Sequence, residues 1–347
     1  LDDEQTMSIH VTLIPFLKSA KEFKTKPSQH SIADLRKTGI YPDMLICRSE
    51  HKIPLSIKDK LSKSCGIMKD SIMEASDAST IYQVPLNFLE QDILQPITRK
   101  LNLQKNKTNM KQWDNLVSKI ISPSKTIKIA FVGKYMSLKE AYKSLTEALI
   151  HSGAHLDVKV EIEFIDSEET NNIEKISKCD GVLVAGGFGT RGIEGKIEAI
   201  KYARENNIPY LGICLGMQLA IIEFARNVLN IQEANSIEFD KNTKEDIIYL
   251  IDNFIDSNGD KQIRTYKSPM GGTMRLGEYP CELKHNTKIY EAYDNQNTIT
   301  ERHRHRYEVN PSYEDKLEEN GLIISAKSNG LIDAIELKEH KWFVGVQ

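Results

Sequence analysis

An apolar run at residues 208–213 ends in Gly212-Ile213-Cys214-Leu215-Gly216 and passes into a helix-like segment. Gly-x-Cys-x-Gly between a strand and a helix is the cysteine form of the nucleophile elbow, a turn so tight that its flanking positions must lack bulk. Cys214 is expected to project from that turn at the first residues of the helix. There the unpaired amides and the helix dipole favour a thiolate, the reactive species. The plain alternative is a buried cysteine in a glycine-rich turn, because free cysteine is commonly interior. A second element, Gly186-Gly187-Phe188-Gly189, follows the run at residues 181–185 and precedes Arg191 and Gly192. Glycines at a strand end let backbone N–H groups face a neighbouring pocket, as an oxyanion hole requires, although phosphate loops and ordinary turns look alike. Both elements on adjacent strands of one sheet make acyl transfer through a covalent thioester the leading chemistry.

The elements that would position them alternate. Strands are expected at residues 127–132, 158–165, 181–185 and 208–213, with helices at 138–151, 194–206 and on to 228. That is a doubly wound α/β layout, in which sites form where strand ends meet helix starts. Beyond Asp246 the pattern turns strand-rich, with strands at 247–251, 322–326, 334–337 and 342–346. Upstream, strands at 9–14, 43–47 and 71–75 alternate with helices at 31–35, 57–64 and 77–82, which implies a second parallel sheet with crossover connections. Pro27 is expected to break the basic stretch 18–29. Between the two, residues 103–125 read as a linker with one amphipathic helix around Trp113, Leu116, Val117 and Ile120, stopped by Ser122-Pro123-Ser124. Trp113 reads as a packing anchor. The division is 1–102, 103–125 and 126–347.

The 347 residues carry 46 basic and 49 acidic side chains, a net −3. This near balance argues against a nucleic-acid field or an acidic tail. Five widely spaced cysteines with no Cys-x-x-Cys pair speak against a disulfide scaffold or a thiolate zinc site and for a reducing, cytoplasmic compartment. The most apolar window, 208–225, contains Pro209, Gln218 and Glu223 and is expected to be a buried strand and helix, not a membrane span. Leu1 followed by Asp2, Asp3 and Glu4 reads as a trimmed start.

The segments LVAGGFGTRG, NIPYLGICLGMQ, ANSIEF, MGGTMRLG and ERHRHRYEVN, in that order, together resemble the class I glutamine amidotransferase domain of the CTP synthase family. Upstream, HVTLIPFLKSAKEFKTKPSQHS and GIYPDMLICRS resemble the C-terminal part of that family's synthetase domain. The resemblance implies two α/β domains with mainly parallel sheets, a P-loop-type synthetase portion and a flavodoxin-like amidotransferase. It implies ATP-dependent amination of UTP to CTP, with ammonia released from glutamine at Cys214 and carried through an internal channel. Gly187 would supply the oxyanion amide, with Leu215 as a second donor. Leu215, Gly216, Met217, Gln218, Glu238 and Arg306 would hold glutamine. A zwitterionic substrate needs an anion for its ammonium and a cation for its carboxylate, which suits Glu238 and Arg306.

The resemblance also places UTP or CTP at Lys24, Thr25, Lys26, Pro27, Ser28, Gln29 and Lys60, where lysines serve as point charges for a triphosphate. Ala78 falls near the adenine pocket, and Arg264, Gly271 and Gly272 in the lid tied to GTP activation. Mg2+ would be held outside this chain, and no metal site within it is expected. Further implied are GTP as an allosteric activator, CTP as a feedback inhibitor, and a homotetramer able to polymerise into filaments. Neither nucleic acid nor a membrane is an expected partner.

Plainer readings stand beside these. Glu238 alone is a solvated charge, residues 302–306 alone a basic surface strand or nucleic-acid patch, and residues 24–26 a solvated loop. The family's His-Pro-Glu segment, which gives the general base and its orienting carboxylate, would follow Gln347, and its phosphate-binding glycine loop would precede Leu1. A polypeptide with these literal ends is expected to make no CTP and to hydrolyse glutamine very slowly. Rival readings are another class I glutamine amidotransferase and a non-catalytic fragment that keeps assembly interfaces only. A general cysteine peptidase or esterase leaves the upstream segment unexplained.

Overall fold

The computed structural model describes residues 5–104, 106, 108–134, 139–169, 172–251, 253–255, 259–263 and 274–347. Arg264, Gly271 and Gly272 lie outside the described residues. Contacts divide the chain into two compact units, residues 1–125 with 150–159, and residues 126–149 with 160–347.

In the first unit three parallel strands, Ile9–Leu13, Met44–Ser49 and Ile72–Ser76, form a sheet with Met44–Ser49 in the middle. Its MLIC run is apolar enough to be covered on both faces, as the centre of a parallel sheet must be. Ile32, Leu61 and Cys65 from helices Lys26–Lys37 and Leu55–Cys65 close over Leu45, Cys47 and Ile72. Helix Lys26–Lys37 starts five residues before the expected Ser31, and Pro27 occupies its first turn. A proline there loses no hydrogen bond and comes with the right φ, so the residue expected to break the stretch starts the helix instead. The helix expected at 77–82 is only a 3-10 turn, Ile81–Gln83, whose start is capped by the Thr80 hydroxyl accepting from Tyr82 N–H. Helices Val84–Glu90 and Leu94–Lys100 follow it and carry Pro85 and Pro96. In helix Lys111–Ile121, Trp113 Nε1 donates to Tyr82 O at 2.8 Å.

The second unit is built on a nine-stranded sheet. Its order is Thr298–His305, Arg275–Leu283, Leu322–Ser328, Leu331–Leu337, Phe343–Val346, Tyr210–Ile213, Gly181–Val184, Lys125–Gly133 and Val158–Asp166. Phe343–Val346, Tyr210–Ile213, Gly181–Val184 and Lys125–Gly133 run parallel, and the sheet becomes antiparallel from Leu331–Leu337 outward. Strand Gly181–Val184 is buried at every residue, as a parallel strand covered by helices on both faces must be. Helix Leu215–Asn227 is buried from Leu215 to Ala225. Its one buried acid, Glu223, accepts from Arg204 Nε at 2.8 Å and Nη2 at 2.7 Å. Among the described residues no helix is long and apolar enough to cross a membrane.

Candidate active site

Strands Gly181–Val184 and Tyr210–Ile213 are direct neighbours, with Val184 opposite Gly212. The segments that leave their C-terminal ends therefore meet. At the end of the second, Cys214 adopts φ +53° and ψ −106°, a conformation that L side chains rarely occupy, and helix Leu215–Asn227 begins at the next residue. The turn has no room for side chains. A Cβ on Gly212 would stand 2.7 Å from the carbonyl carbon of Gly216, and one on Gly216 would stand 2.2 Å from Val184 O. Cys214 N–H donates to Val346 O at 2.7 Å, and Tyr210 OH donates to Gly216 O at 2.9 Å while its ring stacks on Phe343. The strained residue is thus tied to strand Phe343–Val346 beside it.

The glycine loop touches this turn. A side chain on Gly186 would begin 3.4 Å from Cys214 Cβ, and one on Gly187 would begin 3.7 Å from Leu215 Cδ2. Leu215 N–H bonds to the Cys214 sulfur. Leu215 and Met217 are themselves buried, and Met217 packs against Gly345, so anything that Leu215, Gly216 or Met217 offers a ligand comes from backbone.

Cys214 is partly accessible, whereas Cys47, Cys65, Cys179 and Cys281 are buried. The thiolate expected from the helix start is not the resting state. Burial pushes the thiol up to about 11 against the Leu215 N–H that lowers it, and the carboxylates of Glu308 and Glu238 add to the rise while Arg304 opposes it. The cost of desolvating an anion exceeds what one amide and a helix end return.

Glu238 Oε1 accepts from Gly189 N–H at 2.8 Å. Burial raises its carboxyl, with the Gly189 amide, Lys134 and Arg306 acting the other way. Arg306, the cation expected opposite Glu238, is largely buried and near enough to act on that carboxyl electrostatically. Gln218 gives its amide nitrogen to Tyr307 O at 3.0 Å and Gln347 Oε1 at 3.2 Å, and Gln347 Nε2 stands 3.8 Å from Cys214 Sγ.

Residues 302–305 alternate: Arg302 and Arg304 point out, while His303 and His305 point in. Inside, Arg275 Nη1 donates to Asp333 Oδ1 at 2.8 Å and lies 3.6 Å from Glu308 Oε1, and His303 Nδ1 and His305 Nε2 are 2.9 Å apart. Burial, then Arg275, lower His303 to about 4, so it is a neutral imidazole within the sheet. Two residues beside the site escape the sequence reading: Lys134, which acts on Glu238, and Gln347, beside Cys214. Lys134 carries the fainter signal of a lysine directly after a buried strand end.

In the first unit Lys24 and Lys60 both act on Glu22, the former through an ion pair, and hold its carboxyl below the usual range. Thr25, Lys26, Pro27, Ser28 and Gln29 form the start of helix Lys26–Lys37. Ser28 Oγ donates to Leu13 O at 2.9 Å and Gln29 Nε2 donates to Thr25 Oγ1 at 3.2 Å. Ala78 follows Asp77, which accepts from Arg48 Nη2 at 2.6 Å. Among the described residues no group of three or more His, Cys, Asp or Glu could hold a metal ion.

Residues 137–347 match the family model Glutamine amidotransferase class-I, and residues 1–103 match CTP synthase N-terminus. The chain is 61% identical over 348 residues to a CTP synthase of Nautilia profundicola, covering 98% of this chain and 64% of the relative. It is 58% identical over 347 residues to that of Sulfurimonas denitrificans, covering 99% and 64%. Among solved structures, the glutaminase domain of Trypanosoma brucei CTPS with bound acivicin superposes with TM-score 0.57 at 36% identity, covering 64% of this chain and 84% of that one. The chain thus spans 64% of the length of the curated relatives it matches.

Proposed function

We propose that this chain, which belongs to the class-I glutamine amidotransferase family, hydrolyses glutamine at Cys214 in the service of CTP synthesis. Cys214 Sγ attacks the side-chain amide carbon, and the oxyanion that forms is held by the Gly187 amide and the Leu215 N–H. The C–N bond breaks, the proton given up by the thiol completes the leaving ammonia, and water hydrolyses the thioester to glutamate and returns a proton to the sulfur. Glu238 takes the substrate's ammonium and Arg306 its carboxylate. Gln218 and the backbone of Leu215–Met217 shape the pocket. The observation that carries this reading is the left-handed Cys214 in contact with Gly186.

The intact protein is proposed to pass that ammonia to UTP, whose 4-oxygen ATP phosphorylates, giving CTP, ADP and phosphate. Lys24 and Lys60, which converge on Glu22, and the helix start Thr25–Gln29 would take the nucleotide's triphosphate, since an N-terminus of a helix favours anions. Ala78 would line the ATP site. Mg2+ would supply charge neutralisation on the phosphates when bound. GTP as activator, CTP as feedback inhibitor, a cytoplasmic homotetramer and its filaments belong to the same proposal, as does the division into residues 1–102, 103–125 and 126–347. What supports it is the joint match to the two family models and to relatives named CTP synthase.

The test supplies the intact protein with glutamine carrying heavy nitrogen in its amide, together with UTP and ATP. The label is expected in the 4-amino group of CTP, with none transferred by Cys214→Ala. Label in another acceptor, or transfer by Cys214→Ala, refutes the proposal.

A further inference from the structure

The loop after strand Gly181–Val184 is gripped by two lysines. Lys134 Nζ donates to Phe188 O and to Gly189 O, each at 2.8 Å. The N–H of that same Phe188–Gly189 peptide group goes to Glu238. Because C=O and N–H of a trans peptide point opposite ways, a cation on one side and a carboxylate on the other fix its plane. At the other end of the loop, Lys196 Nζ lies 3.4 Å from Ala185 O, and a methyl on Gly187 would sit 3.9 Å from it.

Lys196 is the less expected of the two. It comes from helix Ile193–Glu205 and has no exposed surface. Among the described residues no carboxylate is paired with it. An ammonium buried without an anion is expensive for a fold and is more cheaply replaced by a hydrocarbon chain. An uncharged stem of similar length would serve packing alone, so packing does not explain the charge.

We propose that Lys196 is a positioning residue for glutamine hydrolysis. Its ammonium holds the Ala185–Gly186–Gly187 segment by the Ala185 carbonyl and sets a buried positive charge behind the oxyanion that forms at Cys214. The proposal rests on the thioester reading above. Preoriented peptide dipoles and a fixed charge in a water-poor site act where negative charge develops, without reorganising. Among the described residues, the titratable groups acting on Lys196 are Lys134, just after strand Lys125–Gly133, and Cys214 on the elbow. Burial, helped by Lys134 and opposed by Cys214, lowers the ammonium to about 8. It is therefore charged at neutral pH and loses that charge as pH rises through about 8.

The test compares glutamine hydrolysis by the intact protein with that of Lys196→Met and Lys196→Gln from neutral to alkaline pH, alongside melting temperature. At pH 7 kcat is expected to fall at least about tenfold in both variants, with KM for glutamine nearly unchanged, as for a group acting only in the transition state. The ratio of parent to variant kcat should then shrink toward one above pH 8, since the parent loses the charge the variants never had. Melting temperatures should stay level or rise. Equal kcat at pH 7, a ratio constant with pH, or a variant that unfolds makes Lys196 a structural residue and overturns the proposal. If a chloroketone analogue of glutamine fails to label Cys214 in the parent protein, the thioester reading itself has failed.

Discussion

Cys214 Cβ stands 3.4 Å from the point at which a side chain on Gly186 would begin. The nucleophile's turn and the glycine loop are thus in contact, each leaving the C-terminal end of one of two paired parallel strands. Everything the site does follows from that adjacency: the thiol and the amides that would receive an oxyanion share one corner of the sheet.

The two glycine environments predict opposite tolerance. In Gly216→Ala the new methyl lies 2.2 Å from Val184 O, backbone that cannot move without breaking the sheet. The substitution should cost about 1–3 kcal/mol and lower Tm by several degrees. Gly186→Ala meets Cys214 Cβ at ordinary contact distance and should melt within about 2 °C of the parent. Calorimetry of the two variants checks the contrast; equal losses would contradict the elbow geometry.

Glu238 raises the Cys214 thiol and also accepts from Gly189 N–H. Glu238→Gln keeps an acceptor oxygen but removes the charge. The thiolate fraction at a given pH should rise, so alkylation of Cys214 by a neutral reagent such as iodoacetamide should accelerate at pH 8. KM for glutamine should increase at least about tenfold through loss of the ammonium's partner, at the roughly 1.5–3 kcal/mol typical of charged hydrogen bonds. Slower alkylation, or an unchanged KM, would contradict the assignment.

His303 predicts acid sensitivity. Its folded value, about 4, lies below the ordinary 6.5, so the unfolded chain binds the extra proton first. Stability is fully present above pH 6.5 and is lost as pH falls toward 4, by up to about 3 kcal/mol from this group. Urea titrations at pH 7, 5 and 4 measure it. His303→Gln should flatten the dependence, and an equally steep loss in that variant would assign it elsewhere.

The parallel half of the second unit is legible because runs such as residues 181–185 and 208–213 are apolar without alternation and lead into glycine-rich turns. The elbow was legible for the same reason, since only glycine survives at 212 and 216. Pro27 reads as a break where it opens a helix, and helices Val84–Glu90 and Leu94–Lys100 are too short to leave a periodic pattern. The ionisation of Cys214 could not be read, because desolvation is a property of the packed surroundings. Lys196 was equally silent. In IEGKIEAIKYARE it looks like one more solvated charge, and only tertiary packing buries it.

The most direct test is mass mapping after brief exposure of the intact protein to a chloroketone analogue of glutamine. One adduct is predicted, on Cys214, slowed by added glutamine, with the buried Cys47, Cys65, Cys179 and Cys281 unmodified. Label spread evenly over the five thiols, or an adduct that glutamine does not slow, would contradict the assignment of Cys214 as the acyl-accepting nucleophile.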